Sequence, residues 1–227
     1  MKQPILEGDR LYLRPLIESD ITDEYLSWLS DPIVTRHLEV GIFPETAASV
    51  RQWLKGMQTG AAAFAFAIID KATDQHIGNI ALYDVNYVVH GVDDGKPGWE
   101  HRNVGTGIII GRKEFWGKGY GTEAHHLVFD YAFRHLKIHK VVHRPVGDNV
   151  GSYKMVTKLG LKYEGVLRKH VFADGKFHDV IVMGMFKEDY YNSKNPEGDF
   201  LGQNDAPAKV NGAADGPAFP PGKSNSD

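Results

Sequence analysis

The glycine-rich segment from Trp116 to Ala124, WGKGYGTEA, is the part of the sequence best suited to chemistry. Its glycines occupy alternate positions, at Gly117, Gly119 and Gly121, so successive backbone N–H groups can turn toward one point without obstruction by side chains. A helix predicted to begin at Tyr120 adds the partial positive charge of its N-terminus. The segment therefore predicts a cradle for a phosphate group.

Two other phosphate-binding motifs fit this segment less well. A nucleoside-triphosphate loop requires a Gly-Lys pair followed by Ser or Thr, whereas here Gly119 follows Lys118. A dinucleotide-binding loop requires G-x-G-x-x-G in a doubly wound fold, whereas this segment has G-x-G-x-G with antiparallel elements upstream. The first motif is excluded and the second is disfavoured.

A second group of polar residues follows the next predicted strand. Asn149 stands at a strand-to-helix turn, where its amide can either cap the helix or reach a ligand. Ser152 lies about one turn inside that helix, where it fits a solvated position as well as a chemical role. The residues alone leave both alternatives open.

Strand-like and helix-like segments must position these two groups. The apolar periodicity predicts the order β-α-α-β-β-β-α-β-α-β-β. Residues 61–70 and 76–84 form a predicted antiparallel hairpin, and residues 104–145 predict a right-handed crossover with a parallel pair. Asp174-Gly175 predicts the turn between the last two strands. The predicted fold class is α/β, with a mixed central sheet flanked by helices.

The composition limits the function and the partners. The 227 residues include 26 Lys and Arg against 29 Asp and Glu, a net charge of −3, without the basic excess of a sequence-independent nucleic-acid binder. The absence of cysteine excludes thiolate metal ligands and cysteine nucleophiles, and is compatible with a cytoplasmic location. The longest apolar run, residues 61–69, is too short to span a membrane. We expect neither nucleic acid nor membrane as a partner.

The composition changes near residue 191. Residues 192–227 hold 5 of the 11 prolines and are otherwise rich in Gly, Ala, Asn, Asp and Ser. Such a segment buries too little apolar surface to offset the entropy of ordering it. We expect a folded domain over residues 1–191 and a disordered tail over residues 192–227.

Taken together, the two polar groups resemble the motifs of a known enzyme family. WGKGYGTEA, paired with Asn149-x-x-Ser152 and with Lys158-Leu159-Gly160 on this order of elements, is similar to the GCN5-related N-acetyltransferases, the GNAT family. The likeness spans about residues 9–187 and is to the branch with ribosomal-protein alanine, spermidine and amino-sugar acetyltransferases. It implies an acyl-CoA N-acyltransferase fold that moves an acetyl group from acetyl-CoA to a primary amine.

The resemblance also implies the residues that bind acetyl-CoA. Pantetheine would pair with the backbone of a strand that splays from its neighbour, here at Ile108, Ile109 and Ile110. The pyrophosphate would lie on the N–H groups of six consecutive residues: Gly117, Lys118, Gly119, Tyr120, Gly121 and Thr122. Trp116, Asn149 and Ser152 complete the implied set. Trp116 stands where the family usually has Gln or Arg, so only its backbone is expected to contribute.

Acetyl transfer to an amine requires an oxyanion donor and an acid near the sulfur. A backbone N–H near Ile109 or Ile110 is the candidate donor for the oxyanion. The resemblance places Ser152 beside the sulfur as the acid, with Tyr153 as the alternative. The tyrosine that serves the spermidine enzymes falls on Val156.

The reaction also requires a base, because only a neutral amine attacks a thioester. Glu100 is the first candidate, acting directly or through water, and His101 and Asp84 are alternatives. The family's strand glutamate is absent, because Gly105 holds its place. The competing interpretation of Glu100 is an exposed carboxylate paired with Arg102.

The acceptor is left open between a small amine, such as a nucleotide-linked amino sugar, and a protein N-terminus, with a polyamine third. A non-catalytic acyl-CoA-binding module is the alternative function, and a homodimer is one alternative for the oligomeric state. No metal is expected. His135, His139 and His143 have a spacing that converges ligands only on a helix, and here the chain passes from helix to strand.

Overall fold

A computed structural model describes residues 5–38, 45–59, 64–87, 102–173 and 175–194. The strands are β1 (Leu6–Glu7), β2 (Leu11–Pro15), β3 (Phe64–Asp70), β4 (Gln75–Tyr87), β5 (Arg102–Ile110), β6 (Lys140–His143), β7 (Lys162–Ala173) and β8 (Lys176–Phe186). The helices are α1 (Asp23–Ser30), α2 (Pro32–Thr35), α3 (Ala47–Thr59), α4 (Tyr120–Asp130), α5 (Val150–Lys158) and α6 (Lys187–Lys194).

The eight strands form one mixed sheet in the order β1-β2-β3-β4-β5-β6-β8-β7. β5 and β6 are parallel, and the other neighbouring pairs are antiparallel. These pairings confirm the predicted α/β class, the β3–β4 hairpin and the parallel crossover. Gly175 has φ +73° at the last turn, as a tight β turn requires, while Asp174 lies outside the described residues.

Both faces of the sheet are covered, which explains the continuous apolar run of β3. Phe66 and Ile68 belong to the core that contains α4, whereas Ala67 and Ile69 belong to the core that contains α1 and α3. Successive side chains of a strand point to opposite faces, so a strand buried on both sides is apolar throughout. The functional groups described below lie where α4 and α5 meet β5 and β6.

The long helix that begins at Tyr120, as predicted, changes its geometry before its end. It is α-helical only to Asp130 and continues as a π turn from Tyr131 to His135, with Ala132 and Phe133 fully buried. The wider turn is closed by the Leu136 N–H, which bonds to the Tyr131 carbonyl at 3.1 Å. α1 ends at Ser30 with Asp31 as its C-cap, and the Asp31 carboxylate also caps the start of α2, with Pro32 in its first turn.

The folded part extends past the predicted boundary at residue 191, because α6 continues to Lys194. Tyr190 on this helix is buried against Phe133, with a ring-centroid distance of 5.0 Å. Its hydroxyl donates to the Asp130 carboxylate at 2.9 Å. This long-range packing holds α6 on the π turn, so a boundary drawn from composition alone fell too early. Residues 195–227 lie outside the described residues.

Candidate active site

The loop before α4 has a backbone conformation that glycine adopts readily. Gly117 has φ +70° and Gly119 has φ +85°. A Cβ atom added to Gly117 would meet no other atom within 4 Å, so the space beside this residue is open. Gly121 has a different role, because a Cβ atom there would lie 3.2 Å from the Met155 sulfur of α5 and 3.8 Å from Ile108. It allows α4 to pack closely on α5 and β5.

The N-terminus of α4 provides free backbone donors at this loop. The first N–H group bonded within the helix is that of Glu123, which donates to the Gly119 carbonyl at 3.0 Å. The N–H groups of Tyr120, Gly121 and Thr122 therefore have no partner within α4, and Gly119 supplies no side-chain cap. Together with the helix dipole, these donors form a binding place for an anion.

Arg10, immediately before β2, holds this loop in place through contacts that the sequence did not indicate. Its Nη1 donates to the Lys118 carbonyl at 2.6 Å, and its Nε donates to the Glu123 carboxylate at 2.8 Å. Its guanidinium lies 4.8 Å from the centre of the Tyr120 ring. Arg10 and Glu123 are 113 residues apart, so no local motif could have shown the pair.

The carboxylate of Glu123 is neutralised by these contacts. Burial alone would raise its pKa, but hydrogen bonds from the backbone and side chain of Arg10 outweigh burial and lower the pKa overall. Glu123 is thus an anion already paired with a cation, although it stands in the first turn of α4. It does not oppose the binding of a second anion at the free N–H groups.

Trp116 ties the end of β5 to the loop. Its Nε1 donates to the Ile110 carbonyl at 2.7 Å, while the ring is 41% exposed. The polar atom of this side chain is therefore used within the protein. The Lys118 side chain is exposed on the same loop.

β5 and β6 separate beside the loop. Their pairing ends at Thr106–His143, whereas β5 continues to Ile110. The chain after β6 follows β8 instead, through a bridge between Val146 and Val180. The end of β5 therefore has an edge that no strand in the described part of the chain covers.

The direction of each backbone N–H group decides whether that group is available at the uncovered edge of β5. The Gly111 N–H bonds to the Ile77 carbonyl of the β4 side at 2.9 Å. Because N–H directions alternate along a strand, those of Ile108 and Ile110 point away from β4, whereas that of Ile109 points toward it. Ile109 was one of two candidates for the oxyanion donor, and this geometry counts against it, because its N–H is turned toward β4 and away from the open edge.

Ser152 lies at the base of this splay, in contact with β6. Its N–H donates to Asn149 Oδ1 at 3.0 Å, so Asn149 performs the capping role that was one of its two alternatives. The Oγ atom of Ser152 lies 2.9 Å from Nε2 of His143, which is 6% exposed. Ser152 is thus partly buried beside a histidine rather than solvated on the helix surface.

His143 and His125 form a pair of buried imidazoles behind Ser152, with ring centroids 5.4 Å apart. The pKa of His143 is lowered to about 3, chiefly by burial and to a smaller extent by His125, while the Thr106 backbone opposes the shift. Burial likewise lowers the pKa of His125 to about 4. The Nδ1 atom of His125 donates to the Gly121 carbonyl at 2.8 Å, since a carbonyl can only accept. Both rings are neutral near pH 7.

The other two α5 positions considered for the acid face the core. Val156 has no hydroxyl group and is fully buried. Tyr153, the alternative to Ser152, is partly buried and packs against the hydrophobic core around α4. Of the candidates for the acid, Ser152 is the one that the structure places at the base of the splay.

The candidate bases are not described at the level of side chains. Glu100 and His101 lie outside the described residues, and Asp84 is described only as backbone within β4. The structure does explain the glycine at the family's glutamate position. A Cβ atom on Gly105 would lie 2.7 Å from the Tyr83 ring, and the Tyr83 hydroxyl donates to the Thr106 carbonyl at 3.2 Å. Tyr83 reaches this place from the neighbouring strand, so sequence patterns could not reveal it.

The described ranges offer neither a metal site nor a membrane-spanning helix. They contain no cluster of three or more His, Cys, Asp or Glu side chains that could hold a metal ion. His143 instead contacts Ser152, and His135 lies in the π turn. Among the helices of these ranges, none is both long and apolar enough to cross a membrane.

Comparisons with known proteins agree with this architecture. Residues 10–162 match the family model described as Acetyltransferase (GNAT) domain. The chain is 28% identical over 187 residues to p20 of Bacillus licheniformis, described as an uncharacterized N-acetyltransferase, covering 82% of this chain and 97% of that protein. It is 29% identical over 124 residues to the spermidine N(1)-acetyltransferase of Escherichia coli K12, a match that covers 55% of this chain and 60% of that protein.

A solved structure shows the same fold. The crystal structure of spermidine N-acetyltransferase from Vibrio cholerae in complex with CoA and spermine superposes with a TM-score of 0.69 and 23% identity, covering 82% of this chain and 100% of that one. The family model spans more than half of the chain and confirms the predicted resemblance. The chain belongs to the GNAT family, the GCN5-related N-acetyltransferases that take their acetyl group from acetyl-CoA.

Proposed function

We propose that this protein transfers the acetyl group of acetyl-CoA to a primary amine by direct attack within a ternary complex. One observation carries the proposal: the uncovered edge of β5 connects Ser152 at the base of the splay with the free N–H groups of α4. Acetyl-CoA is a thioester that also carries a diphosphate. Its binding and reaction need an anion site for the diphosphate and a hydroxyl group near the thioester sulfur, both along one path. The four residue steps from Thr106 to Ile110 correspond to about 13 Å of strand along this path.

Different residues along this path would bind different parts of acetyl-CoA. The N–H groups from Gly117 to Thr122 would hold the diphosphate, with the exposed Lys118 side chain adding positive charge. Pantetheine would pair with the edge of β5. The Ile108 N–H is the free donor nearer to Ser152, so it would hold the carbonyl oxygen as negative charge develops there, with Ile110 farther along the arm.

The chemical step follows from these positions. The amine lone pair forms a bond to the acetyl carbon, the oxyanion collapses and the C–S bond breaks, with Ser152 donating a hydrogen bond to the leaving thiolate. The proton of the amine passes to a base, for which we propose Glu100, directly or through water. We propose direct attack without an acyl-enzyme intermediate, and the chain has no cysteine to form an acyl-enzyme thioester.

The acceptor proposed is a small amine, such as a nucleotide-linked amino sugar, or a protein N-terminus. The sequence likeness to spermidine N(1)-acetyltransferase keeps a polyamine as a third class. Val156 stands where the resemblance places the tyrosine of the spermidine enzymes, and its full burial disfavours this third class. Measuring thiol release from acetyl-CoA with a panel of amines identifies the acceptor. Binding of CoA without any amine-dependent release would favour the non-catalytic module instead.

Two glycine variants test the diphosphate site. Gly117 and Gly175 have nearly the same φ, +70° and +73°, and an added Cβ atom meets no other atom within 4 Å at either position. Alanine should therefore cost each variant a similar amount of stability, about 1–2 kcal/mol. Only G117A places a methyl group beside the proposed diphosphate, and losing one charge-assisted hydrogen bond should weaken CoA binding about tenfold or more.

Isothermal calorimetry with CoA measures the difference. Chemical unfolding of both variants checks that their stabilities match. If G117A and G175A bind CoA as tightly as the unmodified protein, the diphosphate does not lie on this loop.

A further inference from the structure

The contact between His143 and Ser152 controls the direction of a hydroxyl proton. A serine O–H rotates freely, so its hydrogen-bond partner decides where the proton points. Nε2 of His143 lies 2.9 Å from Oγ, and His143 is the last residue of β6 that pairs with β5. The contact is therefore located where the uncovered edge of β5 begins.

The charge state of His143 leaves two arrangements of this hydrogen bond. Burial keeps the imidazole neutral above about pH 3, so the ring carries one proton on one of its two nitrogens. If Nε2 carries the proton, it donates to Oγ and the Ser152 proton is free to point elsewhere. If Nδ1 carries the proton, Nε2 accepts the Ser152 proton and the hydroxyl has none for another acceptor.

The surroundings of Nδ1 favour the first arrangement. Nδ1 is buried and makes no hydrogen bond of normal geometry in the described structure, although the Thr106 backbone lies near enough to influence the ring. A proton on Nδ1 would depend on this poorly aligned contact with the Thr106 backbone, whereas a proton on Nε2 has Ser152 Oγ as an acceptor at 2.9 Å.

We propose that His143 is a positioning residue for acetyl transfer: its Nε2–H donates to Ser152 Oγ, so that the serine proton points to the open edge of β5 and meets the leaving thiolate. This inference rests on the proposed function. His143 touches neither substrate and acts through Ser152. Because the ring stays neutral, its contribution does not change with pH in the range where the enzyme is assayed.

A double-mutant cycle tests the proposal. H143L removes the donor, whereas H143Q can place its amide N–H near the position of Nε2. We expect H143L to lower kcat about tenfold, the loss of roughly one buried hydrogen bond, with KM for acetyl-CoA little changed. H143Q should recover most of kcat. In the S152A background, H143L should change kcat by less than about twofold, because the hydroxyl that it orients is absent.

H125N is the matched control. His125 is the adjacent buried imidazole, and asparagine keeps the donor to the Gly121 carbonyl, so kcat should stay near that of the unmodified protein. A loss of kcat for H143L that is equally large in the S152A background would overturn the proposal. So would a Ser152→Ala variant that loses less than about threefold of turnover.

Nitrogen NMR of the unmodified protein gives an independent readout if H143L does not fold. A protonated Nε2 and a bare Nδ1 on His143 support the proposal, and the opposite tautomer refutes it. This measurement also separates the two hypotheses. If wild-type protein releases no thiol with any amine, the proposed function fails, whereas the NMR result alone decides the hydrogen bond.

Discussion

Acidification from pH 7 to pH 5 should destabilise this fold through His125 and His143. Burial lowers their pKa values to about 4 and about 3, whereas each returns to about 6.5 in the unfolded chain. Below pH 6.5 the unfolded chain therefore binds protons that the folded chain does not. The stability from these neutral rings is complete above pH 6.5 and is lost as the pH falls toward their folded pKa values.

The size of this effect follows from the two pKa shifts. Each histidine removes about 1.4 kcal/mol of unfolding free energy per pH unit below 6.5. At pH 5 the two rings together cost about 4 kcal/mol, which is large against the 5–15 kcal/mol, roughly, that stabilises a typical domain. The lowered pKa of Glu123 acts in a separate range, below about pH 4.5, because its ordinary value is already acidic.

Urea unfolding followed by circular dichroism between pH 6.5 and pH 5 measures the effect. H125N keeps the hydrogen bond to the Gly121 carbonyl but removes one titrating group. The slope of unfolding free energy against pH should therefore be smaller in H125N than in the unmodified protein by about 1.4 kcal/mol per pH unit. Equal slopes for the two proteins would show that His125 is not held neutral in the fold, and the reasoning from burial would be refuted.

Two further predictions concern the substrate site. R10A removes the hydrogen bonds to the Lys118 carbonyl and the Glu123 carboxylate, and calorimetry should show CoA binding weakened about tenfold. R51A is the control: it loses only an exposed ion pair with Glu18 and should bind CoA normally. Equal CoA affinities for the two variants would contradict the role of Arg10. E100Q should abolish or shift the acidic limb of the pH profile of kcat/KM if Glu100 is the base, and an unchanged limb excludes this assignment.

The features that depend on local backbone preferences could be predicted from the sequence. Alternate glycines indicated the positive φ values of Gly117 and Gly119, because side chains disfavour that conformation. Apolar periodicity indicated the strands and the parallel crossover, since burial on one or both faces leaves a period that the sequence records. Asn149 at the turn before α5 indicated a helix cap, because an asparagine side chain there can accept a hydrogen bond from the first turn of the helix.

Long-range packing decided the rest. The Arg10–Glu123 pair, the Tyr83 ring over Gly105 and the His143–Ser152 contact join elements that no spacing relates. The choice of Ile108 and Ile110 over Ile109 required the register of β5 on β4, because one residue of register exchanges the two edges of a strand.

His143 shows most clearly which properties depend on the local sequence and which depend on tertiary packing. Its sequence neighbours suggested only a weak and rejected metal motif, since a histidine is equally compatible with a surface, a ligand set or a core. Its neutral charge and its contact with Ser152 arise from burial between β5, α4 and α5, and burial is a property of the assembled fold. The local sequence thus determined where the backbone could turn and bind, while the tertiary structure determined which side chains meet there and in which protonation state.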